Sequence, residues 1–586
     1  MKTSKIPLSL LLLIFFFQLS VVSLANGGNE NKKKSYNSPS DINSLRTKYQ
    51  FNKNRFKLRI QNDGVISDVP YFPNYNEYDE YFILYSAGFY LVGKNNDQIW
   101  ANGVATASRT NDYFPGKVGS NPGDSLNMIY VVNSNAPPFG SSWQEYRNAV
   151  LQGAEFYDGD GDGIYNPIDK NGNGKWDTNE DSPNQIGDAT AWFVFNDGKP
   201  SLNRRFNSMI PLGIEIHQTA FAFSNPDSTL YNTIFLKYKL FNRGLVNNEL
   251  DSVYFLFWAD PDIGANIEDD LMGSDSVINS VYCYNNIGND IWYGNNQPAV
   301  GLTMLQGPVV YIPNETFIDN NSNGIFDKEI DLPLDTAIVN PGGHLRAKKY
   351  FGAKNQNVKS LFIYINSGLN NLNDPDKPVD VWRYAQGFRK DNVLIDPCSW
   401  TKGVVLNNPC NQINPKYIFS GNPITRTGWI DTTGSDLRML ISTGPFKLKL
   451  NEPVEMWFAI VAGRGQTNLN SVSVLKQNIL ETINYYKNNI KFEDKEILPE
   501  YFILYQNYPN LFNSGTTISF YLPISEFVTL KVYDILGREV TTLVSENLNA
   551  GYHSLKFDAG NFSSGVYLYK LQAGMYSETK KMILSK

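Results

Sequence analysis

Apolar and polar residues alternate with period two over many short runs of this chain, the spacing that puts every second side chain on one face of a β-strand. Ile234, Leu236, Tyr238 and Leu240 alternate with Phe235, Lys237 and Lys239. Val253-Tyr254-Phe255-Leu256-Phe257-Trp258 is apolar without interruption, and Glu455-Met456-Trp457-Phe458-Ala459-Ile460-Val461 is nearly so. Both predict strands covered on two faces. The runs at 234–240 and 253–258, joined through Asn242-Arg243-Gly244, read as an antiparallel pair of a large sandwich. Shorter strand-like runs fall at 81–85, 128–132, 191–195 and 221–223. One segment has a different period: Val472, Leu475, Ile479, Ile483 and Tyr486 recur at three- and four-residue steps. They predict a helix near 471–487, capped by Asn470 or Ser471, with its stripe packed on a core.

Alternation resumes near the C-terminus. Ile518, Phe520 and Leu522 are interleaved with Ser519 and Tyr521, Val528, Leu530 and Val532 with Thr529 and Lys531, and Val566 and Leu568 with tyrosines. Gly537, Gly551 and Gly565 punctuate these runs, as turns between the short strands of an immunoglobulin-like sandwich would. The expected fold class is therefore mainly β: a large multi-stranded β-sandwich region at 56–487 with loop insertions, one helix, and an immunoglobulin-like β-sandwich at 504–586. Residues 26–55, rich in Lys and Asn, read as a flexible polar leader, and 488–503, charged and carrying Pro499, as a linker. At 586 residues the chain is long enough for several cores.

Composition narrows the partners. Aromatic residues make up 14% of the chain, which suits strands, and 58 acidic against 51 basic residues give a formal charge of −7. The one dense basic run, Lys32-Lys33-Lys34, lies in the leader, so nucleic acid is not an expected partner. Lys2 and Lys5 precede an apolar run that continues to Val22, and Ser23-Leu24-Ala25 offers the small residues a signal peptidase needs. Residues 1–25 read as a signal peptide; the other reading is a membrane anchor. No other run approaches the roughly 18 apolar residues of a membrane span, so no transmembrane segment is expected in the mature chain.

Oxygen-rich loops supply the candidate chemistry. Asp158, Asp160, Asp162, Asn166 and Asp169 fall at positions 1, 3, 5, 9 and 12 of a calcium loop, with Gly163 at position 6. A second frame begins on Asp169 itself and continues through Asn171, Asn173, Gly174, Asp177 and Glu180. Asp169 is thus expected to serve two Ca2+ ions. A third frame, Asp319, Asn321, Asn323, Gly324 and Asp327, has Ile330 at position 12, so Glu329 or Asp331 would have to complete it. Alternate side chains converge on a hard cation in such loops, and the glycine makes the sharp turn. Asp260, Asp262, Asp269, Asp270 and Asp275 form a further acidic group that fits no loop spacing. It reads either as a metal site or as a hydrated surface loop.

Catalytic signatures are scarce. The three histidines, His217, His344 and His553, form no zinc motif, and there is no Gly-x-Ser-x-Gly elbow or phosphate-cradling loop. Glu215 and His217 would share a strand face, as an acid–base pair or as a satisfied polar pair. Cys398 and Cys410 are spaced for a bridge that sequence alone leaves open, and Cys283 reads as a small buried strand residue.

The C-terminal segment carries a specific resemblance. Tyr505-Gln506-Asn507-Tyr508-Pro509-Asn510, Val528-Thr529-Leu530-Lys531-Val532-Tyr533-Asp534, Gly537-Arg538-Glu539-Val540, Gly565-Val566-Tyr567-Leu568-Tyr569 and Lys580-Lys581-Met582 occur in that order. The series resembles the type A C-terminal sorting domain of the bacterial type IX secretion system. Leu511 stands where that family usually has a second proline, and Ser514-Gly515 where Pro-Ser is more usual. The resemblance implies export through the periplasm, recognition by the type IX machinery and its sorting peptidase, and removal of the module. The remainder would be attached to surface lipopolysaccharide or released. The acidic frames resemble thrombospondin type 3 and dockerin-like calcium loops. The region before the module resembles large secreted type IX cargo proteins in which phrases like Asp260-Pro261-Asp262-Ile263-Gly264 and Ala462-Gly463-Arg464-Gly465 recur, a likeness that implies no chemistry.

Two classes of function follow. In the favoured one the protein is a non-enzymatic, calcium-binding surface or secreted β-protein with an adhesive, matrix or binding role toward glycans or other cells. The alternative is a secreted polysaccharide-active hydrolase, which needs two carboxylates roughly 5–10 Å apart in an aromatic cleft.

Overall fold

The two strongest strand runs do not pair with each other. In the computed structural model, Thr233–Asn242 lies between Ile214–Ala222 and Val454–Gly463, whereas Glu249–Pro261 lies in another sheet, between Leu437–Lys449 and Leu84–Asn95. They meet face to face across the core, with the Tyr238 and Phe255 ring centroids 5.0 Å apart. The expected hairpin is corrected for a simple reason. Residues 243–248 are a crossing between packed sheets about 10 Å apart, not the tight turn that returns a strand beside its neighbour. Asn242 holds the start of this crossing, its amide donating to the carbonyls of Asn247 at 2.9 Å and Leu448 at 3.2 Å.

The structure describes residues 47–67, 76–104, 111–266, 268–285, 288–328, 330–365, 371–492 and 502–586. The expected signal peptide, most of the leader and most of the linker lie outside these. The first described strand, Lys48–Phe51, pairs with Phe56–Gln61 and buries Phe51 completely, so regular structure begins inside the span read as leader.

Two antiparallel sheets form the body. The larger has nine strands, running from Leu271–Asp275 through Ser280–Tyr284, Ala299–Gln306, Val454–Gly463, Thr233–Asn242 and Ile214–Ala222 to Ala189–Asn196, with two short strands beside the last. The smaller has five: Val358–Ile365, Leu437–Lys449, Glu249–Pro261, Leu84–Asn95 and Gln98–Gly103. Ile234, Leu236, Tyr238 and Leu240 point into the shared core, and the run from Val253 to Pro261 is buried throughout, as continuous apolar sequence predicts.

The helix Asn468–Asn488 covers the outer face of the larger sheet, laying Val472, Leu475, Ile479 and Tyr486 on Phe221, Phe235 and Trp457. Its cap is Thr467, whose hydroxyl accepts the Asn470 N–H, rather than Asn470 or Ser471. The buried Ser471 hydroxyl is committed elsewhere, donating to the Gln297 carbonyl at 2.7 Å. Two further helices, Ser141–Leu151 and Pro378–Ala385, are too short for a long periodic signal. Among the described residues no helix is long and apolar enough to cross a membrane.

The C-terminal module is a second sandwich. Sheets of three strands (Ile503–Leu504, Gly515–Leu522, Gly551–Asp558) and four strands (Glu539–Leu548, Glu526–Asp534, Gly565–Ala573, Tyr576–Leu584) enclose their own core around Ile518, Phe520, Leu530, Tyr569 and Met582. All pairings are antiparallel, as in an immunoglobulin-like architecture. Cys398 and Cys410 form a disulfide with Cα atoms 5.1 Å apart, and Cys283 is free and buried in its strand.

Candidate metal centre

Both acidic loops grow from the same small device, a ladder of two residue pairs. Phe156–Tyr157 pairs with Ser182–Pro183 around the loop 158–181, and Phe317–Ile318 pairs with Leu332–Pro333 around the loop 319–331. Each ladder fixes the two ends of its loop side by side, so the acidic residues between them are held in a closed excursion.

Within each frame, the residue at position 1 organises the backbone. Asp169 accepts N–H bonds from Gly172 at 2.6 Å, Asn173 at 3.2 Å and Gly174 at 2.7 Å. Asp158 accepts from Gly161 and Gly163, and Asp319 from Asn323 and Gly324, at 2.7–3.2 Å. The Gly174 N–H and its neighbours hold the Asp169 carboxyl below the usual carboxylate range. Position 6 is Gly163, Gly174 and Gly324, with φ of 76°, 72° and 75°. A side chain there would meet no neighbouring atom, so the glycine answers the left-handed backbone rather than crowding.

Each frame is closed by a buried carboxylate that accepts the N–H groups of positions 2 and 9. In the second frame Glu180 accepts from Lys170 at 2.7 Å and Asp177 at 2.9 Å. In the third, Asp331 accepts from Asn320 and Asp327, both at 2.8 Å. In the first, the closing group is Asp181, which accepts from Gly159 at 3.0 Å and Asn166 at 2.6 Å. Glu180, Asp181 and Asp331 are 0–2% exposed, whereas Asp160, Asp162, Asn171 and Asn173 are exposed. Asp169 organises the backbone of the second frame, while the N–H groups at positions 2 and 9 of the first are held by Asp181, from beyond the nested second frame. Asp331 takes the same backbone-holding role in the third frame, and Glu329 lies outside the described residues.

An aromatic residue at position 8 pins each frame to its surroundings. Tyr165 packs on Tyr146 and Phe156, Trp176 on Tyr157 and His344, and Phe326 on Phe317 and Tyr311, with centroids 4.6–5.9 Å apart. Sequence reasoning missed Asp181 and these rings. Asp181-Ser182-Pro183 and Asp331-Leu332-Pro333 share an Asp-x-Pro ending that marks the closing residue.

The ligand-position groups converge. Carboxylate oxygens of Asp158, Asp160 and Asp162 lie within 4.8 Å of one another. In the other two frames Asn171 and Asn173 donate to Asp177, and Asn321 and Asn323 to Asp327, at 2.6–2.8 Å. Turning an amide by 180° would bring its oxygen to the same point in exchange for the N–H bond that oxygen now accepts, from Asn173, Lys175, Asn323 or Ile325. Lys170 ties the first two frames, its ammonium 2.7 Å from Asp160 and holding that carboxyl below its usual range.

The Glu215–His217 pair has no open face. Nε2 of His217 is 3.0 Å from Glu215, which also pairs with Arg243 and accepts the Val118 N–H. Burial of Glu215 is outweighed by these bonds, and its carboxyl sits at about 2; burial pushes the His217 imidazole down. Trp192 and Phe241 pack on the ring, making this a satisfied polar pair.

Of the five acids grouped after the strand Glu249–Pro261, Asp260, Asp262 and Asp270 are buried, so they do not form a hydrated surface loop. Asp275 pairs with Lys476 at 2.8 Å, and Asp269 accepts from Asn285.

Comparison with known proteins bears on the C-terminal sandwich. No curated protein matches the chain. A polysaccharide lyase structure shares 8% identity over 63% of this chain and 34% of its own, with a TM-score of 0.17. PorZ, a surface component of the type IX secretion system of Porphyromonas gingivalis, shares 10% over 68% and 43%, with a TM-score of 0.12. A tandem repeat from the extending region of a large adhesion protein shares 9% over 68% and 95%, with a TM-score of 0.11. Scores so low carry no argument about this protein, which spans about a third of the lyase structure. Residues 506–585, in contrast, match the family described as the secretion system C-terminal sorting domain, which makes this chain a type IX secretion cargo exported to the cell surface or the extracellular space.

Proposed function

We propose that this exported protein binds Ca2+ in the loops 158–181 and 319–331 and acts at the cell surface or in the matrix as a calcium-stiffened adhesive or binding protein. The observation that supports this reading is the shared closure: three frames of different sequence each pair an organising Asp at position 1 with a buried carboxylate on positions 2 and 9. Asp158, Asp160, Asp162, Asp169, Asn171, Asn173, Asp177, Asp319, Asn321, Asn323 and Asp327 would supply the ligands. Glu180, Asp181 and Asp331 would hold the backbone that carries them. The ion would neutralise carboxylates that otherwise repel one another at the loop tips. Extracellular modules need dissociation constants of only about 10⁻⁴–10⁻³ M, which suits the exported location. Loops stiffened on a rigid sandwich then present polar side chains to glycans or other cells. The type IX machinery and its sorting peptidase are the partners during export, with surface lipopolysaccharide as the anchor of the retained form.

Calorimetric titration of the chelated mature protein tests the reading. Three sites filling at up to millimolar calcium, with a higher melting temperature, are expected. Asp169→Ala should remove one ion, because the first frame closes on Asp181. Absence of binding at millimolar calcium would refute calcium binding, and turnover of soluble glycans would overturn the non-enzymatic role.

A further inference from the structure

We infer that Asp260, Asp262 and Asp436 form a separate, buried cation site at one end of the five-stranded sheet. Asp260 ends the strand Glu249–Pro261, Asp262 follows two residues on, and Asp436 immediately precedes Leu437–Lys449. Those strands are antiparallel neighbours, with Ala259 opposite Met439, so the three carboxylates come from adjoining strand ends. The third strand of the corner is Leu84–Asn95, where Ser86 lies opposite Asp260, and the Asp262 N–H donates to the Ile83 carbonyl.

The oxygens of the three carboxylates lie within 4.8 Å of one another. An ion bonded at about 2.4 Å to three evenly spaced oxygens holds them about 4.2 Å apart, so the cluster is close to the size that one calcium spans. One cationic side chain already serves the cluster: Arg438 lies 2.7 Å from Asp260 Oδ2 and 2.5 Å from Asp436 Oδ1. Asp374 adds negative charge beside Asp260, and Asp270 beside both Asp260 and Asp262, so acids outnumber the guanidinium here.

Unpartnered oxygens point the same way. Asp260 is 3% exposed, and its Oδ1 has no hydrogen-bond partner. The Asp262 carboxylate, on a residue 7% exposed, accepts no hydrogen bond among the described residues. Buried polar atoms are nearly always paired, and a group left without a partner calls for an ion, a proton or a water. The oxygen-only donor set suits a hard cation, and carboxylates drawn from separate strand ends suit the flexible coordination of calcium better than the near-octahedral geometry that magnesium demands. Bound there, the ion would tie three strand ends of the smaller sheet together, away from the surface loops.

The test counts ions in the full mature chain by equilibrium dialysis with calcium. A variant lacking the loop sites, Asp158→Ala with Asp169→Ala and Asp319→Ala, is expected to retain one calcium, and this readout leaves the cluster intact. Adding Asp262→Asn or Asp436→Asn should abolish that last ion. A loop variant that binds no calcium overturns the inference. So does an Asp262→Asn protein that keeps its full stoichiometry while melting higher at alkaline pH, which would show that a proton fills the cluster. Loss of the loop ions alone would support the loop reading whatever happens at the cluster, so the two can fail separately.

Discussion

The surface loops and the buried cluster use the same side chain in opposite ways. At 158–181 and 319–331 most ligand-position groups are exposed, and only Glu180, Asp181 and Asp331 are buried, each occupied by two backbone N–H groups. Asp260 and Asp262 are buried, with the half-buried Asp436 beside them against the same arginine, and an Asp260 oxygen is left without a hydrogen-bond partner. A loop can discard its cation and let water solvate its acids. A buried cluster cannot, so losing its counter-charge should cost far more.

The largest expected effect follows from that contrast. Arg438→Ala, measured by denaturant unfolding without calcium, should lose about 3–5 kcal/mol, because it strands the buried Asp260 and leaves the half-buried Asp436 beside it unpaired with the guanidinium. A loss below about 1 kcal/mol would break the comparison. The pH dependence comes next. Burial pushes Asp262 and Asp431 up to about 7, so between pH 4 and 7 the calcium-free native state binds more protons than the unfolded chain. Its stability should therefore fall as pH rises through that window, by up to roughly 4 kcal/mol per group, and level off above it. Glu155, held at about 2 by Lys237 and Lys239 despite its burial, acts in the opposite sense and costs stability only as pH falls below about 4. Thermal melts at pH 3, 5 and 8 check both signs, and calcium should remove the Asp262 share of the loss at pH 8.

A smaller and more local change is expected from the closing residues. Glu180→Ala leaves the Lys170 and Asp177 N–H groups without their charged acceptor, a loss of about 3 kcal/mol. It should appear as proteolysis within 158–181 while the body stays folded; Asp331→Ala should expose only 319–331. Equal cleavage of both loops by either variant would show that the closures are not independent.

Much of this was legible in sequence. Continuous apolar runs marked the buried strands, the 3.6-residue stripe from Val472 to Tyr486 marked the long helix, and position spacing marked the acidic residues that the loops bring together. The hairpin reading failed because a polar connection such as 243–248 looks the same whether it turns within a sheet or crosses between two. Asp181 was missed because the nested second frame separates it from Asp158 by more than one loop length, beyond the reach of a twelve-residue pattern. Burial of Asp260 and Asp262 was hidden because an Asp-Pro-Asp sequence looks like a surface turn unless the strand before it is known to continue to Pro261.

If the three surface frames are cation loops held by Glu180, Asp181 and Asp331, a crystal structure of the mature protein grown with millimolar calcium will show it. An ion should stand in each frame, bonded at about 2.3–2.6 Å to the side chains of positions 1, 3 and 5. Asp181 rather than Asp169 should close the first frame. Density explained by water alone at all three frames, with unchanged melting behaviour in calcium, would contradict the claim.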